Sequence, residues 1–238
     1  MCPKSFGGMI FFVVSLHWNF VKDMIQDKAI FLDFDGVICE SCRIKNDAYY
    51  NSYIEFGPVI ARQALDYHLL HGGVSRVKLF PILHRMLLHR EITPVEHRMM
   101  SERFTAWVEQ AVVKAPLTEG VEQFLRQWQG RAVIFVSSGT PQDEMRRIVS
   151  AKGLNKYFTD VFGSPDTKDM HIQAMLAKYG ISRADTLFVG DATTDRDAAR
   201  ATGIHFVARL SEDSILQDER YTIDNFTQIG SIIEEIWQ

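Results

Sequence analysis

The stretch Lys28-Ala29-Ile30-Phe31-Leu32-Asp33-Phe34-Asp35-Gly36-Val37 decides the fold. Four consecutive apolar residues that end at an acid predict a short strand buried on both faces, of the kind found inside a parallel sheet. The same shape returns at Ala132-Val133-Ile134-Phe135-Val136-Ser137 and at Thr186-Leu187-Phe188-Val189-Gly190, with weaker versions at 204–208 and 158–162. Between them the apolar residues fall at helical spacing. Val121, Phe124, Leu125 and Trp128 lie within 119–129, Met145, Ile148 and Val149 within 141–152, and Ile172, Met175 and Leu176 within 169–179. Strands alternating with helices of this length predict an open parallel α/β sheet. Ligands of such sheets bind beyond the carboxyl ends of the strands, where Asp33, Ser137 and Asp191 fall.

From about residue 43 to residue 115 the strand-like runs vanish. Amphipathic segments at 45–55, 59–70, 77–89 and 94–113 take their place, with Gly72-Gly73 as a break and Pro116 marking the return. This block reads as a helical cap inserted after the first strand. The expected division is an N-terminal extension over 1–25, a core over 26–42 and 115–238, and a helical cap over 43–114. No internal repeat or low-complexity segment is visible.

The bulk numbers bound the function. A chain of 238 residues, 46% hydrophobic and 24% charged, has the composition of a soluble globular protein. A net charge of −4 speaks against a general nucleic-acid binder. Residues 9–21 are largely apolar but include His17 and Asn19, and the run falls short of the about 20 residues that span a bilayer. No membrane span is expected, residues 1–23 read as a dispensable tail, and the compartment is expected to be cytoplasmic. Cys2, Cys39 and Cys42 are too few for a disulfide scaffold. The CxxC spacing of Cys39 and Cys42 lacks a second ligand pair for zinc, so free reduced thiols are expected.

The acids and cations fit phosphoryl transfer. A phosphate ester repels nucleophiles, so a site must neutralise its charge, place a nucleophile and protonate the leaving oxygen. Asp33 is placed to attack as a carboxylate, and Asp35 to act as acid and then base. Asp33, Asp191 and the backbone carbonyl of Asp35 offer oxygens suited to Mg2+, with Asp195 binding directly or through water. Ser137, Ser138 and the nearby amides can hold phosphate oxygens, and Lys168 can balance the acids.

Asp33/Asp35, Ser137, Lys168 and Gly190-Asp191 with Asp195 together resemble the four motifs of the haloacid dehalogenase superfamily. The resemblance covers about residues 26–238. It implies a Rossmann-like core with an inserted α-helical cap, Asp33 as nucleophile, Asp35 as acid/base, Ser137 and Lys168 as phosphate ligands, and Asp191 as a Mg2+ ligand. An acid at position 35 resembles the phosphatases and mutases and not the dehalogenases. Gly73-Val74-Ser75-Arg76 resembles the cap loop of β-phosphoglucomutase-like and phosphoglycolate phosphatase-like members. Arg76 is therefore expected to grip the distal part of a phosphorylated sugar, with Lys78 as a second candidate. The competing reading is a helix start, with Ser75 as N-cap and Arg76 exposed. Mutases of this type carry a His after the first motif where this chain has Lys45, which favours hydrolysis.

The expected function is Mg2+-dependent hydrolysis of a small phosphorylated metabolite, with a mutase or an idle phosphometabolite-binding protein as alternatives. His84, His89 and His97 share no metal-ligand spacing. Trp107 and Trp128 are expected in the core, Glu144 as a helix first-turn acid, Asp166 and Asp169 as turn and helix-start residues, and Asp197 on a solvated helix face.

Overall fold

The structure, a computed structural model, describes residues 27–211 and 214–238; the expected extension over 1–25 lies outside them. Six strands form one parallel sheet: β1 Ala29–Leu32, β2 Val133–Pro141, β3 Asp160–Ser164, β4 Thr186–Gly190, β5 His205–Arg209 and β6 Thr222–Ile223, in the order β3-β2-β1-β4-β5-β6. The first strand lies in the middle. From it the chain winds outward through β2 and β3, then returns to its other side for β4, β5 and β6. Where the winding reverses, between β1 and β4, a crevice opens at the carboxyl ends of both strands.

All four β1 residues are fully buried, as the unbroken apolar run predicts. Alternation along the strands sorts the two faces. Phe31, Phe135 and Phe188 pack on one side with Ile172 and Ala199, drawn from α7 Lys168–Tyr179 and α8 Thr193–Thr202. Ile30, Leu32, Ile134 and Val136 join the larger core on the other side, with α5 Val121–Trp128, α6 Gln142–Ala151 and the C-terminal α9 Ile229–Ile236.

Four helices fill the expected cap region: α1 Cys42–Tyr53, α2 Pro58–Leu70, α3 Arg76–Leu88 and α4 Pro94–Lys114. Tyr49, Tyr53, Phe80 and Phe104 form their common aromatic core. Thr93 starts α4 with a reciprocal cap: its hydroxyl accepts from Glu96 N at 3.2 Å, and Glu96 Oε2 accepts from Thr93 N at 2.9 Å. The loop before α3 lies against the sheet end. Thr194 Oγ1 donates to Gly72 O at 3.0 Å, and the Ser75 and Ser164 hydroxyls are 2.8 Å apart. Gly139 permits this approach, because a Cβ there would stand 2.2 Å from Gly73 O.

Three features differ from the sequence expectations. Trp107 is 42% exposed instead of lying in the core: Phe104 and Val108 occupy the buried face of α4 and turn the tryptophan outward. The edge strand β6 and helix α9 carried no recognised signal. Among the described residues, no helix is long and apolar enough to cross a membrane.

Candidate active site

Asp33 follows the last residue of β1, and its backbone N–H donates to Val189 O at 3.0 Å, which ties it to β4. Its carboxylate accepts from Phe34 N at 2.7 Å and from Lys168 Nζ at 2.9 Å. Gly36 then turns the chain with φ +79°, and a Cβ there would stand 2.1 Å from Asp191 Oδ2. Only glycine fits that position, and its absence of a side chain is what lets the first acidic motif pack against the fourth.

Asp191 follows β4, and Asp195 lies in the first turn of α8. Asp195 is fully buried, accepts from Ala192 N at 3.0 Å, and forms a second ion pair with Lys168. Lys168, the first residue of α7, therefore sits between two carboxylates. One oxygen from each of Asp33, Asp191 and Asp195 lies within 4.8 Å of the others. Two buried carboxylates thus pair with one ammonium, and the half-buried Asp191 lies beside them. Burial drives the Asp33 carboxyl up to about 7; Lys168 opposes the shift, and the Asp195 and Asp35 charges add to it. Burial, then the charges of Asp33 and Asp195, likewise push Asp191 well above the usual carboxylate range. Burial alone would lower Lys168, but the Asp195 and Asp33 charges more than reverse this.

Asp35 is held differently. Its carboxylate accepts from Ser41 Oγ at 2.6 Å and Thr140 Oγ1 at 3.2 Å, and pairs with Lys45 Nζ at 3.0 Å. Burial pushes this carboxyl up, yet the Lys45 charge and the hydroxyl donors outweigh it and hold it below the usual range. Two carboxyls two residues apart are thus driven in opposite directions.

Ser137 and Ser138 separate as strand alternation requires. Ser137 is fully buried, with its hydroxyl 2.8 Å from His171 Nδ1. Ser138 lines a cavity of about 280 Å³ that also touches Asp33, Asp35 and Asp191. Arg76 lies on the wall of this cavity, whereas Lys78 is exposed and lies away from it. Arg76 is 5% exposed and faces Glu144, which is 2% exposed, with Nη2 2.5 Å from Oε2 and Nη1 3.3 Å from Oε1. Thr105 Oγ1 accepts from Nη2 at 2.6 Å, and the guanidinium stands 4.8 Å above the Phe104 ring.

The sequence reading missed Ser41 and Thr140, and gave Glu144 only as the helix first-turn acid that it is. Ser41 lies six residues past Asp35 in a loop whose course no local pattern gives, and Glu144 meets Arg76 across 68 residues of chain. Asp197 is 63% exposed and paired with Arg196, as a solvated face requires. Cys39 and Cys42 are free thiols. Cys39 is buried, and Cys42 Sγ approaches Asp191 Oδ2 at 3.5 Å.

Residues 30–209 match the profile of the haloacid dehalogenase-like hydrolases. The chain belongs to this family. No curated protein matches this hydrolase significantly, while many solved structures share its fold. A predicted phosphoglycolate phosphatase from Haemophilus somnus superposes with a TM-score of 0.69 at 18% identity, over 88% of this chain and 99% of its own. The β-phosphoglucomutase of Clostridium difficile gives 0.70 at 14% identity, over 88% and 96%. A haloacid dehalogenase-type hydrolase from Bacillus subtilis, solved with magnesium bound, gives 0.64 at 15% identity, over 88% and 99%. At these identities the likeness is one of fold. What this hydrolase does rests on its own side chains.

Proposed function

We propose that this hydrolase is a Mg2+-dependent phosphatase that acts on a small phosphorylated metabolite, a sugar phosphate by preference, through an aspartyl-phosphate on Asp33. The observation that carries this reading is the convergence of Asp33, Asp35, Asp191 and Ser138 on one cavity, with Lys168 paired to Asp33. In the first half-reaction an Asp33 oxygen attacks phosphorus, the ester P–O bond breaks, and Asp35 gives its proton to the leaving oxygen. In the second, Asp35 takes a proton from water as that water attacks phosphorus, and the bond to Asp33 breaks. Lys45 favours the ionised form that the second half needs, so the first half draws on the minor, protonated form of Asp35. Lys168 and Ser138 would receive the phosphoryl oxygens, while Ser137, whose hydroxyl lies 2.8 Å from His171 Nδ1, would hold the strand end. The helices over 43–114 would close over the substrate as a cap.

Two buried carboxylates and the half-buried Asp191 against one lysine leave uncompensated negative charge, which suits a divalent cation held by Asp33 and Asp191 with Asp195 behind them. Such a cation would supply positive charge for the phosphoryl oxygens and keep Asp33 ionised. A consequence for stability follows from the sign of the shift. With a folded pKa of about 7, Asp33 holds a proton that the unfolded chain releases near 4. Its contribution to stability in metal-free protein is present at low pH and is lost as pH rises through about 7. Mg2+ must displace that proton at pH 6 but not at pH 8. The increase in Tm on adding Mg2+ over EDTA is therefore expected to be larger at pH 8; the stabilisation behind it is about 2.7 kcal/mol when the ion stands at 100 times its Kd. The buried histidines titrate equally in both samples and cancel. An increment that shrinks from pH 6 to pH 8 would contradict the site.

The activity is tested by phosphate release from sugar phosphates, nucleotides and small phosphorylated acids, with Mg2+ and with EDTA. Mg2+-dependent release supports the phosphatase. Isomerised product without net release would mark a mutase, and Mg2+ binding without either would mark an idle binder.

A further inference from the structure

Every phosphate monoester has a second end, and the cavity wall opposite the acids says what that end can be. Two cations face the cavity from the cap side among the described residues, Lys45 and Arg76. Lys45 is matched by Asp35. Arg76 is matched by Glu144, a carboxylate as deeply buried as the arginine itself, and the Phe104 ring covers the guanidinium plane. A buried cation with a committed partner has little charge left to offer a ligand.

The remaining polar groups on this wall are neutral. His68 stacks on Tyr49 with ring centroids 3.9 Å apart, and its buried Nδ1 has no hydrogen-bond partner. Burial, then the Lys45 charge, lowers the imidazole to about 4, so it is uncharged at neutral pH. Arg76 Nε–H, part of the guanidinium that Glu144 matches, is a second buried polar atom without a partner. Around these groups the surface is apolar, from Leu69, Leu70 and Val74. Hydroxyl groups meet such a mixture well: single donors and acceptors beside carbon, with no charge to compensate.

We infer that the cap half of the cavity is a subsite for an uncharged, hydroxyl-bearing leaving group, and that Glu144 sets this preference by neutralising Arg76. This deepens the phosphatase reading and rests on it for the position of the phosphoryl end. It differs from the sequence expectation for Arg76, a grip on a distal anion, because Glu144 was not visible as its partner. A second phosphate or a carboxylate on the substrate would have to compete with Glu144 for the guanidinium and enter beside three carboxylates.

The test is binding, so that it does not depend on turnover. With Mg2+ present and Asp33→Asn blocking hydrolysis, calorimetry would compare two matched pairs: ethylene glycol monophosphate against phosphoglycolate, and glucose 1-phosphate against glucose 1,6-bisphosphate. The uncharged-tail member of each pair is expected to bind at least about tenfold more tightly. Equal affinity, tighter binding of the anionic-tail member, or no binding of either would overturn the inference. Adding Glu144→Gln should shift both ratios toward the anionic-tail ligand by about tenfold; unchanged ratios in folded protein, checked by melting, would remove Glu144 from the account. If that variant does not fold, the two pairs still decide the matter. Phosphate release by the unaltered protein, measured alongside, judges the phosphatase reading separately.

Discussion

Asp33→Asn is expected to lower phosphate release by roughly 10⁴-fold or more, as removal of a covalent nucleophile does, while the chain stays folded. The isosteric amide keeps one acceptor, for Phe34 N or for Lys168 but not for both, because the two donate to different oxygens of Asp33, and it cannot form the acyl phosphate. The same change removes one of three crowded carboxylates. Metal-free Asp33→Asn protein should therefore melt at or above the temperature of the unaltered protein at pH 8, since Lys168 keeps Asp195 as its partner. Activity and stability should move in opposite directions, which a merely structural role for Asp33 does not allow. Retained turnover would end the nucleophile assignment, and a large loss of Tm would show that Asp33 holds the fold.

Lys168→Ala is the expected counterpart for stability. It strips the ammonium that pairs with Asp33 and Asp195 among the described residues and leaves like charges facing each other in a buried space. Breaking a buried pair by removing one partner costs about 3–5 kcal/mol, which in a chain of this size lowers Tm by roughly 10 °C. The loss is expected to be greatest without metal at pH 8 and partly recovered by Mg2+, whose charge substitutes for the lysine. Thermal melting at pH 8 with EDTA and with Mg2+ checks both statements. A variant that melts within a degree or two of the unaltered protein in EDTA would mean that the acids are solvated and the crowding is not real.

The parts of this protein that sequence discloses are those governed by local rules. β1 shows itself because a parallel strand buried on both faces must be apolar at every position. Asp33, Asp191 and Lys168 show themselves because each lies at the end of a strand or the start of a helix whose pattern is clear. What stays hidden is set by contacts across the fold. Glu144 carries the pattern of an ordinary helix start, and only the packing of α3 and α4 against α6 brings Arg76 to it. Ser137 and Ser138 are adjacent and alike in sequence, yet the pleat sends one hydroxyl to His171 and the other to the cavity. The Trp107 expectation failed because a 21-residue helix has more than one apolar-looking face, and the packing partners choose between them. The two-residue edge strand β6 carries too little pattern to announce itself, whereas Ile229, Ile232, Ile233 and Ile236 of α9 stand at helical spacing, a signal the sequence reading passes over.

In the proposed reaction Asp33 carries the phosphoryl group and Asp35 moves the proton that releases it. Asp35→Asn mixed with p-nitrophenyl phosphate and Mg2+ tests this most directly, because nitrophenolate leaves without a proton whereas the attacking water needs a base. The predicted result is a burst of nitrophenolate near one equivalent per enzyme, followed by slow turnover, with phosphate found by mass spectrometry on the acid-quenched peptide that contains Asp33. Folded protein that gives steady release with no burst and no phosphorylated peptide would contradict the account.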